Sequence, residues 1–321
     1  MKAIISERYG SPDELELREV DKPAIEDEQV LVRVHASSVN PADWYRVYGP
    51  FFARIGNGLR RPKNAAVGTD LAGRVEAVGR NVEELEPGDE VFGTCLGAWA
   101  EYAVAREARL VLKPANVSFE EGAAVPIAAL TALQALRDHG RVQPGHEVLI
   151  NGASGGVGTY AVQLAKSLGA TVTGVCSTGN VELVRSLGAD RVVDYTQEDF
   201  TELSEDHDVM LDIAGSRPFR AFRRILSDDA IVVAVGAPMS YKGLGPLRHL
   251  AGTRLTALGR SQKVVNFVTQ VTKEDLEVMR RHLENGTVKS VIDKRYELSQ
   301  VPDALRHLGT THARGKVVIT V

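Results

Sequence analysis

The sequence predicts an α/β protein made of a β-rich part and a doubly wound parallel sheet, and three observations carry that expectation. In the first hundred residues, short apolar runs at Val30–Val34, Ala72–Val78 and Glu90–Phe92 are punctuated by glycine and proline, the texture of a compact barrel or sandwich. From Phe119 the texture changes to alternating helix and strand. Within that second part the apolar, β-rich run Val148–Asn151 stops at a glycine cluster, Gly152 to Gly158, and passes into a helical pattern.

Taken in order, the first part carries one long irregular insertion, the glycine- and arginine-rich stretch Pro50 to Asn64. A helix is expected near Ala124 to His139. After the glycine cluster, apolar residues recur at Val157, Tyr160, Ala161, Leu164, Ala165 and Leu168, the spacing of one helix face. Gly169-Ala170 and a second β-rich run, Thr171 to Cys176, complete a β-α-β unit of about 30 residues. Further strands are expected near Arg191–Val193, Val209–Ile213, Ile231–Val235 and Leu255–Leu258. The tail adds a helix from Lys273 to Asn285 ended by Gly286, a strand near Val291, a helix near Val301 to Leu308 and a terminal strand from Lys316. The tail is expected to rejoin the first part, giving one domain over 1–122 and 267–321 and another over 123–266.

The strand–turn–helix junction has a chemical meaning. Small residues let the backbone approach a ligand, and the unpaired N–H groups at a helix start attract phosphate. In the G-x-G-x-x-G frame of dinucleotide sites the glycines fall at Gly155 and Gly158, with Ala153 in the first position; a glycine-rich turn without a ligand is the alternative. An NAD-preferring site usually carries a carboxylate at the end of the next strand, about 20 residues on. Here that segment reads Cys176-Ser177-Thr178-Gly179-Asn180, so no carboxylate repels a 2′-phosphate, and Ser177 and Thr178 offer donors to it. NADP is the expectation. No Arg or Lys stands in this turn, which leaves Arg185 as a source of charge, and Ser177 and Thr178 also read as caps of the helix beginning at Val181.

Composition excludes several classes. With 321 residues, 44% hydrophobic and 25% charged, the chain has room for two domains, and a net charge of −4 gives no reason to expect nucleic acid or an anionic membrane as partner. Its start, Met1-Lys2-Ala3-Ile4-Ile5-Ser6-Glu7-Arg8, lacks a signal h-region, and no run approaches the roughly 18 apolar residues of a membrane span. A cytoplasmic location is expected. Cys95 and Cys176 lie far apart, so neither a disulfide framework nor a cysteine-rich zinc lobe is available.

On the segments VLVRVHASSVNPAD (30–43), GTDLAGRVEAVG (68–79), GDEVFG (88–93), TALQAL (131–136), INGASGGVGTYAVQLAK (150–166), LGADRVVDY (187–195) and ARGKVVI (313–319), the chain resembles the medium-chain dehydrogenase/reductase superfamily, and within it the zinc-free NADPH:quinone oxidoreductases. The resemblance runs over essentially the whole length. It implies a GroES-like catalytic domain, an inserted Rossmann domain and a nicotinamide held in the cleft between them. Zinc-dependent relatives need a Cys where Asn40 stands and Gly-His-Glu where Gly68-Thr69-Asp70 stand, so the expected metal ligands are absent. Without a metal, hydride transfer to an acceptor that delocalises the developing charge is the easier chemistry, which points to quinones and α,β-unsaturated carbonyls.

The same resemblance implies the site. Asn40 is expected to donate an amide N–H to substrate or to fix the nicotinamide ribose, with a purely structural turn before Pro41 as the alternative. Tyr45 and Tyr48 are candidate phenol donors, or packing residues beside Trp44, Phe51 and Phe52. Asp43 reads as a cap or turn residue, and Thr131 matches a threonine near the nicotinamide. Ser154, Gly155, Gly156 and Val157 are expected along the pyrophosphate, Ser177, Thr178 and Tyr195 around the 2′-phosphate, and Gly236 and Ala237 against the nicotinamide amide. Arg314, Gly315 and Lys316 are expected to reach the cofactor from the tail, with solvated surface charge as the alternative for the two cations. Three functions stay open: an NADPH:quinone reductase, an enone or enoyl reductase, and an NADPH-binding protein of low turnover that senses redox state or interacts with partners. A homodimer is expected, with Arg254–Leu258 as the pairing edge.

Overall fold

The structure is a computed structural model, and it describes residues 1–235, 261–310 and 313–321. It divides into two compact units, Met1–Leu130 with Gln270–Val321, and Thr131–Thr269.

In the first unit β1 (Lys2–Ile5) and β2 (Glu16–Glu19) form a small antiparallel pair. The main sheet is built on β3 (Gln29–Val39), buried at Val30–Val32, Val34 and Ala36–Val39. It pairs with β4 (Asp70–Val78) and β6 (Tyr102–Arg106), and β4 continues to β5 (Glu90–Thr94) and β7 (Leu110–Leu112). Val30, Val32, Val34, Leu71, Val75, Val91 and Leu110 make its core. The expected irregular insertion contains a helix. After α1 (Pro41–Tyr48), Pro50 caps a second helix, α2 (Phe51–Asn57), closed at Gly58. Its start follows from the fixed φ of proline, which suits the residue before a helix.

Among the described residues the second unit carries six parallel strands: β8 (Glu147–Asn151), β9 (Thr171–Cys176), β10 (Arg191–Asp194), β11 (His207–Asp212), β12 (Leu226–Ala234) and β13 (Lys263–Asn266). Their order in the sheet is β10-β9-β8-β11-β12-β13. Counted from β8 this is 3-2-1-4-5-6, the doubly wound order whose switch point lies between β8 and β11. A strand at Leu255–Leu258 and the pairing edge at Arg254–Leu258 lie outside the described residues, and β13 has no counterpart in the sequence-based expectation. Leu149, Val175, Val193, Met210 and Val232 pack with Phe219 and Phe222 beneath this sheet.

The single helix expected over Ala124–His139 is divided. α3 (Phe119–Ala123) ends before Pro126, α4 (Pro126–Gln134) begins on that proline, and Ala135–His139 widens into a π-turn. Proline cannot donate the helical hydrogen bond, so the chain restarts there. The tail supplies α8 (Lys273–Glu284), β14 (Ile292–Glu297), α9 (Val301–Thr310) and β15 (Lys316–Thr320), with the short α5 (Gly156–Ser167), α6 (Val181–Ser186) and α7 (Phe219–Phe222) lying earlier in the chain. β15 pairs antiparallel with β3, Val317 opposite Val39, so Lys316 falls beside the residue that follows β3, Asn40.

Candidate functional site

The glycine turn leaves the carboxyl end of β8 at the sheet's switch point. Gly155 caps α5 with its backbone extended and no side-chain cap, so the first N–H groups of a twelve-residue helix have no intrahelical acceptor. A Cβ on Gly158 would lie 2.1 Å from the Gly152 carbonyl oxygen, so only glycine lets helix and turn close this tightly. Ser154 is buried, and Gly156 and Val157 open the helix beside it.

The turn after β9 is organised around a residue the sequence reading did not assign. Asn180 is buried, and its Nδ2 donates to Ser154 Oγ at 3.2 Å and to Ser177 Oγ at 3.1 Å. One amide thus links the phosphate-type turn to the next turn. Its Oδ1 is buried with no hydrogen-bond partner. Asn180 sits directly before α6, but its side chain makes no cap hydrogen bond. Ser177 opens the short 3₁₀ turn Thr178–Asn180, also without a side-chain cap bond.

Thr178 Oγ1 meets Thr196 Oγ1 at 2.8 Å, and Thr196 donates to Asp194 Oδ1 at 2.7 Å. Asp194 stands opposite Cys176 in the β10–β9 register, so a carboxylate does reach this turn, from the neighbouring strand. Hydrogen bonds from Thr178 and Thr196 hold its carboxyl below the usual carboxylate range. Arg185 is ion-paired with Glu182 on its own helix. Tyr195 is exposed. Gly236 and Ala237 lie outside the described residues. Thr131 is buried, its hydroxyl 2.7 Å from Thr269 Oγ1.

In the first unit, residues expected in separate roles share one buried cluster. Asn40 is 2% exposed, Asp43 2%, Asp70 0% and Lys316 3%. Lys316 Nζ donates to Asn40 Oδ1 at 2.5 Å and lies 3.4 Å from Asp70 Oδ2. The Asn40 amide donates to Asp70 Oδ2 at 2.9 Å and to Asp43 Oδ2 at 3.3 Å. Asp70 also accepts from Ser38 Oγ at 2.6 Å and from the Ile127 N–H at 3.1 Å. Asp43 accepts from the Asn40 N–H at 2.9 Å, the capping role expected of it, and from Thr69 Oγ1 at 2.7 Å. Gly68 positions this corner with φ +92°; a Cβ there would meet the Trp99 ring at 2.7 Å. Burial pushes the Asp43 carboxyl up to about 6, aided by the Asp70 charge and opposed by the Thr69 hydrogen bond.

Both N–H groups of Asn40 are therefore committed to carboxylates, which leaves none for a substrate. Lys316 is enclosed in this cluster, Arg314 is exposed, and Gly315 is buried between them. Tyr45 is half-buried, with its phenol pushed up by burial, and its ring meets Trp44 edge-on at 5.3 Å. Tyr48 stacks on Trp44 at 4.0 Å. Thr69 was legible in sequence only as the place where a metal-binding histidine is missing.

Among the described residues no group of three or more His, Cys, Asp and Glu is disposed to hold a metal ion, and no helix is long and apolar enough to cross a membrane.

Comparison with known proteins agrees with the two-part architecture. Residues 26–115 match the alcohol dehydrogenase GroES-like domain, and residues 187–319 match a family described as zinc-binding dehydrogenase. The chain is 36% identical to a 2-methylene-furan-3-one reductase of Solanum lycopersicum, over 99% of the chain and 79% of that protein. It is 34% identical to a chloroplast envelope quinone oxidoreductase homolog of Arabidopsis thaliana, over 99% and 98%. The solved quinone oxidoreductase of Coxiella burnetii superposes with a TM-score of 0.86 at 30% identity, covering 100% of this chain and 99% of that one. With a GroES-like unit, a 3-2-1-4-5-6 parallel sheet and full-length relatives of this kind, the chain belongs to the medium-chain dehydrogenase/reductase superfamily, in its quinone oxidoreductase-like branch.

Proposed function

We propose that this protein is an NADPH-dependent, zinc-independent reductase that transfers hydride to a quinone or an enone. The observation that carries the reading is the turn at the carboxyl end of β8, where close glycine packing and the free N–H groups of α5 offer a seat for a pyrophosphate. The residues present fit a dinucleotide. Gly155, Gly156 and Val157 supply backbone donors, Ser154 lines the turn, and the unpartnered Asn180 Oδ1 offers an acceptor to a ribose hydroxyl. NADPH as the preferred form is supported by the Ser177 hydroxyl and by the lack of a carboxylate on Ser177–Asn180 themselves, while Asp194, reaching the turn from β10 and holding the Thr178 hydroxyl, weighs toward NADH. When bound, the nicotinamide supplies hydride; the chain's own groups bind it, orient it and manage the proton.

Zinc independence is supported by the chemistry of the donor set. Where zinc-dependent relatives need Cys and His, this chain has Asn40 and Thr69, and the Lys316 ammonium lies between Asn40 and Asp70. A fixed cation hydrogen-bonded to the amide does not fit a site for a dication. The enone alternative is favoured by one specific observation, the 36% identity to a furanone reductase over nearly the whole chain.

The test follows NADPH absorbance with 9,10-phenanthrenequinone, a benzoquinone and a simple enone. NADPH is expected to be consumed with at least one acceptor, and NADH to bind more weakly in the same assay. Tight NADPH binding without oxidation by any acceptor overturns the enzyme reading, equal affinity for NADH overturns the 2′-phosphate assignment, and stoichiometric zinc in the purified protein overturns the metal-free one.

A further inference from the structure

Asn180 is buried beside the glycine turn with one polar atom unused. Its Nδ2 donates to Ser154 Oγ at 3.2 Å and to Ser177 Oγ at 3.1 Å, and its Oδ1 has no hydrogen-bond partner. Turned about, the same amide would accept both hydroxyl protons at Oδ1 and leave its two N–H groups buried and unpaired, which costs more than one idle acceptor. The orientation present therefore fixes the direction of both hydroxyls. Each serine oxygen takes its hydrogen bond from the amide, and its own proton is left pointing away from Asn180. Among the described residues neither proton has an acceptor.

The neighbouring polar groups are already engaged. Thr178 Oγ1 lies 2.8 Å from Thr196 Oγ1, whose proton goes to Asp194, so the Thr178 hydroxyl spends its own proton within that network. Arg185 is paired with Glu182. Asp194, kept charged by the Thr178 and Thr196 hydrogen bonds, sets a negative charge against any phosphate here. Of the side chains on the turns at 152–158 and 177–180, the two serines alone keep a proton to donate. Because both hydroxyls rest on one nitrogen, they lie together in one seat, although Ser154 follows β8 and Ser177 follows β9. The end of the second strand of such a unit is where the adenosine ribose is read.

We propose that Asn180 is the positioning residue of a seat for the cofactor's 2′-phosphate, its amide turning the protons of Ser154 and Ser177 together toward that phosphate. The inference rests on the NADPH reading above and names what selects the phosphate in a turn that carries no cation of its own. It also moves Ser154 from the pyrophosphate, where the sequence places it, to the adenosine end. The pyrophosphate is left to the backbone N–H groups at the start of α5. Two neutral donors beside Asp194 make a weaker selector than a bidentate arginine, so the preference for the phosphorylated cofactor is moderate, about tenfold.

The experiment titrates the intact protein with 2′,5′-ADP and with 5′-AMP, two fragments of the cofactor that differ in the 2′-phosphate alone. Wild-type protein is expected to hold 2′,5′-ADP about tenfold more tightly. Ser154→Ala and Ser177→Ala are each expected to weaken 2′,5′-ADP several-fold and to leave 5′-AMP unaffected. Asn180→Asp keeps the shape of the side chain but accepts both hydroxyl protons, so it is expected to remove the preference altogether. Asn180→Ala is expected to weaken 2′,5′-ADP in the wild-type background and to add little to the Ser154→Ala/Ser177→Ala double variant, a coupling that a merely structural residue would not show. Should Asn180→Asp fail to fold, the single serine variants and the Asn180→Ala comparison decide the matter. A preference for 2′,5′-ADP that survives the Asn180 variants, or Ser154→Ala weakening both ligands alike, overturns the inference. Wild-type protein that binds the two ligands equally overturns the NADPH reading instead, so the two failures are distinguishable.

Discussion

At Lys316 the chain encloses a full positive charge whose partners, Asn40 and Asp70, are more than two hundred residues away in sequence. Such a group is tolerated because its partners are in place, and removing it leaves Asp70 buried without its cation. Lys316→Met is expected to destabilise the protein by about 3–5 kcal/mol, seen as a lower midpoint in urea unfolding. Adding Asp70→Asn to that variant should recover part of the loss, because the uncompensated charge is then gone. A double variant as unstable as the sum of the two singles would show that Lys316 stabilises through packing alone. Sequence reading singled out both Asn40 and Lys316 but gave them no contact with each other. What joins them is the β3–β15 register, a long-range pairing that no local pattern contains. Asn180 was hidden for a related reason: only the fold turns its amide toward Ser154, 26 residues back in the chain, and Ser177.

Among the elements, those with strong periodicity and clear ends were the most legible. The helix expected from Lys273 to Asn285 is α8, Lys273–Glu284, with Asn285 as its C-cap, and its N-cap Thr272 accepts from the Asp275 N–H at 3.2 Å. Thr272→Ala is expected to cost about 1 kcal/mol in urea unfolding, and Thr272→Ser much less, since the hydroxyl is what caps. Equal losses in the two would point to the Thr272 methyl instead. The helix over 124–139 was less legible because the pattern is apolar on nearly every side, so its period could not reveal the restart at Pro126 or the widening at Ala135–His139. In the Pro50–Asn64 insertion the glycines and arginines obscured the short α2, whose Phe51 and Ile55 remain exposed.

For the molecule as a whole, the ionisable groups pull stability in opposite directions with pH. Surface carboxylates such as Glu90, beside Lys113, and Asp138, beside Arg137, are held below their usual range, so they favour the folded state above it and lose that contribution as pH falls. They are largely exposed, and solvent screens their contribution to a small one. Asp43 acts with the opposite sign and without that screening. Its folded value of about 6 stands above the ordinary 3.8, so between those values the folded state holds a proton that the unfolded chain has released. Its stabilising contribution is full below about pH 4 and is lost as pH rises to about 6, a change of about 3 kcal/mol for a fully buried group. Unfolding free energy measured in urea at successive pH values from 4 to 7 should therefore decline for the wild-type protein. In Asp43→Asn, where an amide of the same shape mimics the protonated acid, the decline should flatten. A wild-type profile that rises steadily through this range, unchanged by the substitution, would mean that Asp43 is ionised throughout and that Lys316 serves both carboxylates.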